Sequence, residues 1–341
     1  MATLRIAVVG CGLIGTRRAR EVVRHPASEL HSVVDVREGA ARALASEVGC
    51  PWSADWTRTV ADPAVDVIVV STSNDQLAPV GTAALRAGKH VLLEKPMGRN
   101  LAEALELERA AGASGRRLKI GFNHRYHPAL ARARALAADG AVGPLVNARV
   151  RYGHGGRAGY EKEWRGDPVR AGGGELTDQG VHVVDLLQCF LGMPREVFCR
   201  AQTAVWPVAP LEDNAFALLS YPGGAVASFH TSWTQWKNLF SLEVFGRDGY
   251  LTVEGLGGSY GVETLTVGRR RPEGGVPEIE QTTFPGADES WRLEWEEFAT
   301  AVLTGAAYQG TPRHGVDVMT VVDGLYRSIR TSGPAAIESV D

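Results

Sequence analysis

The sequence predicts an α/β protein with two domains, in which a parallel sheet wound with helices is followed by a large, mostly antiparallel sheet. Before residue 123, short apolar runs alternate with helical stretches, which is typical of parallel α/β sheets. Beyond about residue 145, short alternating runs follow one another, which indicates antiparallel strands. We therefore place the first domain at residues 1–122 and the second at residues 123–341, and 341 residues are enough for two cores.

The first 35 residues predict a dinucleotide-binding βαβ unit. An apolar strand, Leu4–Val9, runs into a Gly-x-Gly-x-x-Gly turn, a helix follows over Thr16–Arg24, and a second apolar run ends at Asp35. In this motif the first glycine permits the tight turn, the second lets the pyrophosphate approach the backbone, and the third lets the helix lie close to the sheet. The predicted cofactor contacts of the turn are Gly10, Gly12, Leu13, Ile14 and Gly15.

Asp35 bears on the choice of dinucleotide. A carboxylate at this position accepts hydrogen bonds from a ribose 2′-hydroxyl and repels a 2′-phosphate, so the sequence favours NAD over NADP. Arg37 has two interpretations, because its guanidinium can stack on the adenine or pair with a 2′-phosphate. We expect both Asp35 and Arg37 at the cofactor site.

The rest of the first domain continues the alternation. Helices are predicted over Glu38–Val48, Val80–Ala87 and Asn100–Gly112, and strands over Asp66–Val70, Lys89–Leu93 and Arg117–Phe122. Ligands of an open parallel sheet bind outside the carboxyl ends of its strands. The polar residues that follow Val70 are therefore predicted to face the cofactor: Ser71, Thr72 and Asn74. The alternative is a polar loop in which Ser73 or Asn74 caps the next helix. Cofactor contact and helix capping are compatible with each other.

Glu94 and Lys95 leave the next strand at the same edge of the predicted sheet. A lysine there can hydrogen-bond a substrate hydroxyl oxygen and stabilise the charge that develops when a hydride leaves the same carbon. We therefore predict that Lys95 is a catalytic residue in contact with substrate and cofactor, with Glu94 beside it at the cofactor site.

The second domain is predicted to contain an apolar sheet. Its expected strands are Leu145–Tyr152, Val197–Trp206, Asn214–Ser220, Ala225–Trp233, Ser241–Phe245, Gly249–Glu254 and Glu263–Val267, and its closing helices are Glu289–Val302 and Gly315–Arg330. Six of the eight tryptophans lie in this half, so one sheet face has to be covered. Helices can cover one side and a second subunit the other, which predicts a homodimer or homotetramer through this sheet.

A glycine run, Gly172–Gly174, leads into a second set of polar residues, Asp178, His182 and Asp185. Residues four apart share one helical face, so Asp178 and His182 are expected to point together into a cleft, with Asp185 close to the same side. A histidine beside a carboxylate suits proton removal from an alcohol. Two alternatives are a metal pair, for which no other His or Cys lies at ligand spacing, and a buried structural histidine. We predict no metal.

Composition argues against a nucleic-acid-binding protein, a membrane protein and a protein held together by zinc or disulfides. A net charge of −3 with both signs mixed gives no basic footprint for nucleic acid and no polybasic tail for a membrane. The absence of a targeting segment and of an apolar run of about 18 residues predicts a cytoplasmic protein. The four cysteines are scattered and form no C-x-x-C pair, which argues against a structural zinc site and a disulfide framework.

Together these motifs resemble the Gfo/Idh/MocA oxidoreductase family, which includes inositol dehydrogenases, glucose-fructose oxidoreductase and sugar ketoreductases. The resemblance covers nearly the whole chain and rests on Gly10-x-Gly12-x-x-Gly15, Glu94-Lys95-Pro96, Gly121-Phe122-Asn123, Trp164-Arg165, and Gly172-Gly173-Gly174 before Asp178-x-Gly180-x-His182-x-x-Asp185. It implies an N-terminal Rossmann fold plus a C-terminal α/β domain with a large, mostly antiparallel sheet, whose open face forms the subunit interface.

The resemblance also implies roles for residues of this chain. Lys95 is the substrate anchor and proton partner, His182 the acid/base and Asp178 a substrate ligand. Trp164 or Arg165 lies near the nicotinamide, and Asn123 is counted with the cofactor and substrate contacts. The chain departs from the family in the segment after Ser71, where many members carry a histidine.

These observations lead to the hypothesis of a dehydrogenase or reductase that moves hydride between NAD and a secondary alcohol or ketone on a sugar, cyclitol or glycoside ring. The predicted substrate contacts are Lys95, Asn123, Tyr152, Asp178, His182 and Trp236. For Trp236, sugar stacking competes with plain sheet packing. Aminoglycosides and other secondary-metabolite glycosides are candidate substrates, with a nucleotide-activated keto-sugar as the alternative. Two further classes stay open, a non-catalytic nucleotide-dependent regulator and an NAD-dependent redox-neutral glycosidase.

Overall fold

The computed structural model describes residues 3–338, and their contacts divide the chain into two compact units. The first unit is the chain up to Phe122 together with Trp291–Val316. The second is Asn123–Ser290 together with the chain from Asp317 onward. Each unit is built around one sheet, and the predicted fold class is confirmed.

The first unit contains a six-stranded parallel sheet. Its strands are β1 (Leu4–Val9), β2 (Ser28–Val34), β3 (Trp52–Ser53), β4 (Val67–Val70), β5 (His90–Glu94) and β6 (Leu118–Gly121). Its connecting helices are α1 (Leu13–Arg24), α2 (Glu38–Val48), α3 (Trp56–Ala61), α4 (Asn74–Arg86) and α5 (Leu101–Ser114). The strand order is β3-β2-β1-β4-β5-β6, with every neighbouring pair parallel. The order reverses at β1, which places the ligand-binding crevice of such sheets beyond the carboxyl ends of β1 and β4.

The second unit contains a nine-stranded sheet. Its strands are β7 (Leu145–Gly153), β8 (Glu196–Gln202), β9 (Asn214–Ser220), β10 (Val226–Ser232), β11 (Leu239–Gly246), β12 (Gly249–Glu254), β13 (Glu263–Arg269), β14 (Glu278–Phe284) and β15 (Ala335–Ala336). The order is β14-β13-β12-β11-β7-β10-β9-β8-β15, and only β7 and β10 are parallel neighbours. Three helices precede or interrupt the strands: α6 (Pro128–Ala138), α7 (Pro168–Ala171) and α8 (Val181–Leu191).

The two faces of this sheet differ in burial. On one face, side chains such as Val150 and Phe229 are buried, and α6 and α8 pack on this sheet. On the other face, Phe216 and Leu218 of β9 are 46% and 47% exposed. Successive residues of a strand point to opposite faces, and on this second face residues of β7, β8, β9, β10 and β11 line one open surface.

Two long helices, α9 (Ser290–Thr304) and α10 (Pro312–Thr331), lie between β14 and β15. Trp295 and Phe298 of α9 are buried in one cluster with apolar residues of β1 and α2. The sequence predicts that everything beyond residue 122 belongs to the second domain, whereas the structure groups Trp291–Val316 with the first unit. The apolar side of α9 completes the core of the parallel sheet, which explains the difference. Across residues 3–338, no helix has the length and apolar character that a bilayer crossing requires.

Several elements have no clear counterpart in the sequence pattern. Strand β14 is exposed along almost its whole length, so its residues show no apolar alternation. Helix α6 is rich in alanine and arginine and has no sharp apolar stripe. The strand predicted over Val197–Trp206 ends early, because the backbone N–H groups of residues 204–206 turn to donate to the carboxylate of Asp213.

Candidate active site

The glycine loop after β1 has the geometry that a dinucleotide phosphate needs. Gly10 has a φ of +99°, and a Cβ added there would lie 2.3 Å from the carbonyl oxygen of Ser71. A Cβ on Gly15 would lie 1.7 Å from the carbonyl oxygen of Gly10, so α1 approaches this closely only with glycine. A Cβ on Gly12, the N-cap of α1, would meet nothing within 4 Å. Open space at the helix N-terminus therefore fits a pyrophosphate.

Asp35 follows β2 directly and is held beside the glycine loop. Its Oδ2 accepts a hydrogen bond from the Cys11 backbone N–H at 2.8 Å, and its Oδ1 accepts one from the Arg37 backbone N–H at 2.9 Å. The Arg37 guanidinium lies 3.3 Å from each oxygen. Burial raises the pKa of Asp35, but the hydrogen bonds from Arg37 and Cys11 outweigh it and leave this pKa below its usual value. The carboxylate is therefore ionised at neutral pH, as a ribose contact requires.

The polar residues after β4 take separate positions. Ser71 lies against Gly10 through its backbone, and Leu13 at the start of α1 is 82% exposed. The Thr72 hydroxyl donates to the carbonyl of Ser73 at 3.1 Å, and Ser73 occupies the N-cap of α4. Asn74, the first residue of α4, is buried. Among the predicted cofactor residues of this segment, Ser71 and the backbone nitrogen of Thr72 thus lie against the glycine loop.

Glu94 belongs to a buried ion-pair network. Its Oε1 accepts from Nε of Arg18 at 2.7 Å, and the same guanidinium donates to Glu294 at 2.6 Å. Arg18 and Glu294 are almost fully buried, with Trp291 packed over the guanidinium. The side chain of this predicted cofactor residue therefore ties α1 to the sheet and to α9. Lys95, the next residue, is half-buried at the end of β5.

Asp178 and His182 lie on a helix that begins with a π turn. Leu176–Gly180 is π-helical, and α8 continues from Val181. Such turns are rare in proteins, and those that occur are often at functional sites. Asp178 is half-buried and His182 is 5% exposed. Asp185, three residues after His182, is fully buried and accepts a hydrogen bond from Nε of Arg125 at 2.9 Å. Its carboxylate therefore takes part in a buried ion pair.

A buried carboxylate, Glu212, holds the start of the π turn. Its Oε1 accepts from the backbone N–H groups of Gly174 and Leu176 at 3.1 Å and 3.0 Å, and from the Tyr326 hydroxyl at 2.8 Å. A Cβ on Gly174 would lie 2.2 Å from the Glu212 carbonyl oxygen, and one on Gly173 would lie 2.2 Å from the Tyr326 hydroxyl. The glycine run is therefore required by close packing. Glu212 and Tyr326 lie far from the glycine run in the sequence, so the spacing of the run does not indicate these contacts.

Arg165 connects the loop after β7 to the π turn. Its Nε lies 3.2 Å from Oδ2 of Asp178, and its guanidinium lies 4.4 Å from the centre of the Trp164 ring. The ion pair restrains the direction of the Asp178 carboxylate. In the described part of the chain, no group of three or more His, Cys, Asp or Glu side chains is arranged to hold a metal ion.

His124, which no sequence motif singles out, stacks on His182. Their ring centres are 3.9 Å apart with planes inclined by 16°, and both residues are 5% exposed. The Tyr152 hydroxyl lies 3.4 Å from Nε2 of His124, and the Tyr260 ring centre lies 5.7 Å from that of Tyr152. Burial raises the pKa of Tyr152 well above its usual value and that of Tyr260 to about 12, so both phenols are neutral. The available signal for His124 is its position three residues after β6, beyond the carboxyl end of a parallel strand.

Asn123 and Trp236 differ in exposure. Asn123 is buried, and its Nδ2 donates to the Ser290 hydroxyl at 2.9 Å. Trp236 is 66% exposed with a φ of +55°, whereas Trp233 is fully buried. Sheet packing therefore explains Trp233 and does not explain Trp236, whose indole is open to a ligand.

Comparisons with known proteins cover most of the chain. Residues 4–122 match the model of an oxidoreductase family with an NAD-binding Rossmann fold, and residues 130–252 match the GFO/IDH/MocA C-terminal domain. The 1,5-anhydro-D-fructose reductase of Ensifer adhaerens is 30% identical over 281 residues, which are 80% of this chain and 82% of the relative. D-xylose 1-dehydrogenase (NADP(+)) 2 of Haloferax volcanii is 28% identical over 98% of this chain and 99% of its own. The structure of GenD2 from gentamicin A biosynthesis in complex with NAD is 26% identical, with a TM-score of 0.86 over 99% of this chain and 97% of that one.

Proposed function

Because the chain belongs to the GFO/IDH/MocA oxidoreductase family, we propose that it is an enzyme that moves a hydride between NAD and a ring carbon of a sugar, cyclitol or glycoside. The ring carbon carries a secondary alcohol in the reduced substrate and a ketone in the oxidised one. Relatives named as a sugar reductase and a sugar dehydrogenase support this substrate class.

The observation that carries the proposal is the combination, in one chain, of a phosphate-type glycine loop and a buried histidine on a π turn with a carboxylate. A protein that only senses a nucleotide needs the loop at Gly10–Gly15 and has no use for Asp178 and His182. An alcohol dehydrogenase needs both, since hydride transfer from an alcohol also releases a proton.

We assign the acid/base step to His182. Its imidazole accepts the proton of the alcohol during oxidation and returns it during reduction. Asp178, restrained by Arg165, orients a neighbouring hydroxyl of the ring. Lys95 stabilises the negative charge that develops on the alcohol oxygen. We also assign ring contacts to Tyr152 and Trp236, the latter by stacking.

The cofactor proposed for this chain is NAD, which supplies the hydride acceptor when it is bound. The glycine loop holds the pyrophosphate, and Asp35 accepts hydrogen bonds from the ribose. A relative named as NADP-dependent aligns along nearly the whole chain, so the preference for NAD rests on Asp35 rather than on the family. We keep as further proposed cofactor contacts Leu13, Ile14, Arg37, Ser71, Thr72, Asn74, Glu94, Asn123, Trp164 and Arg165.

The narrower substrate proposal is a secondary-metabolite glycoside such as an aminoglycoside. The similarity to GenD2, which takes part in gentamicin A biosynthesis, supports this choice. The exposed indole of Trp236 offers a flat apolar surface of the kind on which a second sugar ring stacks. A nucleotide-activated keto-sugar is the second candidate substrate.

We further propose that the open face of the nine-stranded sheet joins subunits into a homodimer or homotetramer. Phe216, Leu218 and Val226 lie on it exposed, between the arginines of β7 and β8. Apolar residues in such a row on adjacent strands are typical of a surface covered by a partner.

The proposed reaction is tested by NADH absorbance with purified protein, NAD and a panel of cyclitols, free sugars, aminoglycosides and nucleotide sugars. Reduction of NAD by one of these classes is the expected result. NAD binding without turnover of any panel member, in either direction, would contradict the proposal and favour a regulator. Release of a free sugar without accumulation of NADH would also contradict it, in favour of a redox-neutral glycosidase.

Replacement of Lys95 by Met tests the assigned active site. The change removes the ammonium group and keeps a side chain of similar length, so turnover is expected to fall at least about 1000-fold. Binding of NAD, followed by quenching of tryptophan fluorescence, should stay within about twofold, because the glycine loop and Asp35 are untouched. Full activity of Lys95→Met would remove the role assigned to this residue.

A further inference from the structure

We propose that His124 is a positioning residue for the reaction: it fixes the plane of the His182 imidazole by face-to-face stacking, and it limits the stacked pair to one positive charge. The inference rests on the proposed function of His182 as the acid/base. The contact that carries it is the parallel stack, with ring centres 3.9 Å apart and planes inclined by 16°.

The stack is held in place by the segment that carries His124. This residue lies in a short 3₁₀ helix, Asn123–Tyr126, directly before Arg125. Arg125 forms a buried ion pair with Asp185, which lies on the same helix as His182. Because the two stacked histidines and the two ion-paired residues are on the same two segments, a rigid connection fixes the distance between the rings.

The ring of His124 is also enclosed from other sides. Its Nε2 lies 3.4 Å from the Tyr152 hydroxyl, and the rings of Phe240 and His127 meet it edge-on at 6.1 Å and 5.5 Å. A rotation of His124 would require several buried aromatic side chains to move. The imidazole of His182 therefore packs against a fixed flat surface, which restricts the angle at which it can meet a substrate proton.

The charge limit follows from the same distance. Two imidazolium ions 3.9 Å apart in a buried site repel each other strongly, so the second proton is taken up only at a lower pH than the first. The phenols that face the pair are neutral, since burial raises the pKa of Tyr152 and of Tyr260. The titratable and charged groups around the pair are Asp178 with Arg165, Asp185 with Arg125, Glu263 with His127, and the buried Glu175.

Two variants of His124 distinguish the effect of a flat ring beside His182 from the effect of an apolar side chain of similar size. His124→Phe keeps a planar ring, and its kcat at the optimal pH should stay within about threefold of the wild type. His124→Leu has similar bulk without a flat face, and its kcat should fall by about 10- to 100-fold with an unchanged KM for NAD. His31→Gln, in the first unit beside Asp62, is the matched control and should leave both constants unchanged. Equal kcat values for the Phe and Leu variants would overturn the positioning role.

The charge limit is measured directly by NMR of histidine-labelled protein during a pH titration. Signals of the pair are assigned by their loss in His124→Phe and His182→Gln. In the wild type the two rings should titrate in steps separated by more than about one pH unit. In the His124→Phe variant, the remaining ring of His182 should titrate in a single step. Two rings that titrate together in the wild type would overturn the limit. This measurement needs no turnover, so it stays informative even if the substrate panel shows that the proposed reaction is wrong.

Discussion

At the scale of single residues, Asp35 is the group that we propose decides the choice of dinucleotide. Both its oxygens accept backbone hydrogen bonds, so its negative charge is fixed beside the glycine loop. The Arg37 side chain is 71% exposed and pairs with this same carboxylate. Of the two interpretations of Arg37, pairing with a 2′-phosphate would require the guanidinium to leave Asp35.

Replacement of Asp35 by Ser should shift cofactor use from NAD toward NADP. The variant loses the acceptor for the ribose hydroxyls and releases Arg37, so kcat/KM for NAD should fall roughly tenfold and that for NADP should rise by about as much. The ratio of the two kcat/KM values is the quantity to measure. In the double variant Asp35→Ser with Arg37→Ala, the gain with NADP should disappear. An unchanged ratio in Asp35→Ser would mean that another residue sets the preference.

Residue motifs predict part of the site and miss another part for a physical reason. Gly10, Asp35 and His182 are recognised because their spacing along one strand, turn or helix has a chemical meaning. Glu212 and His124 contact segments distant in the sequence, and no spacing along the chain indicates which groups they meet. Residues that pack against a proposed catalytic group have no fixed distance from it in the sequence, so a single sequence does not reveal these contacts.

At the scale of elements, the contact between α1 and the glycine loop depends on the absence of one side chain. A Cβ on Gly15 would lie 1.7 Å from the Gly10 carbonyl oxygen, so α1 would have to move away from the sheet. Another helical glycine, Gly112 in α5, has nothing within 4 Å of an added Cβ. The two glycines occupy similar backbone conformations in different surroundings.

Alanine at these two positions should therefore have opposite effects. Gly15→Ala is expected to lower the free energy of unfolding by about 3 kcal/mol and to weaken NAD binding, because the displaced helix opens the phosphate site. Gly112→Ala should raise the free energy of unfolding by about 1 kcal/mol, since alanine is the better helix former. Urea denaturation monitored by circular dichroism gives both values. If the two variants were equally stable, the close contact at Gly15 would not exist in solution.

Element type is predicted well where the apolar period is strong. Strand β1 and helix α2 have their predicted bounds, because buried β-branched runs and capped amphipathic stretches are unambiguous. The π turn over Leu176–Gly180 is not predicted, since its residues would equally fit a regular helix. The Glu212 and Tyr326 contacts that hold its start come from elsewhere in the chain.

At the scale of the whole molecule, the open face of the second sheet is the surface proposed to join subunits. Leu218, on β9, is 47% exposed on this face. Leu218→Asp should shift the protein to a smaller species in size-exclusion chromatography with light scattering, because a buried unpaired carboxylate costs several kcal/mol at an interface. Val276→Asp, in an exposed loop, is the control and should leave the mass unchanged. A Leu218→Asp protein with the wild-type mass would show that another surface joins the subunits, or that none does.

The division of the chain into units shows a further limit of sequence reasoning. The change from alternating helices and strands to antiparallel strands at residue 123 marks a boundary in the sequence. The return of α9 to the first sheet is not marked, because the apolar side of Trp295 and Phe298 would suit either core. Such a return becomes visible only when the partners of the helix are known.

Isotope transfer shows whether a hydride moves from a sugar-ring carbon to NAD. A substrate from the panel, carrying deuterium on the ring carbon that is oxidised, is incubated with the enzyme and NAD, and the NADH is analysed by mass spectrometry. We expect the NADH to carry the deuterium and Lys95→Met to form none. Deuterium that appears in water, or NADH that forms without it, would contradict direct hydride transfer.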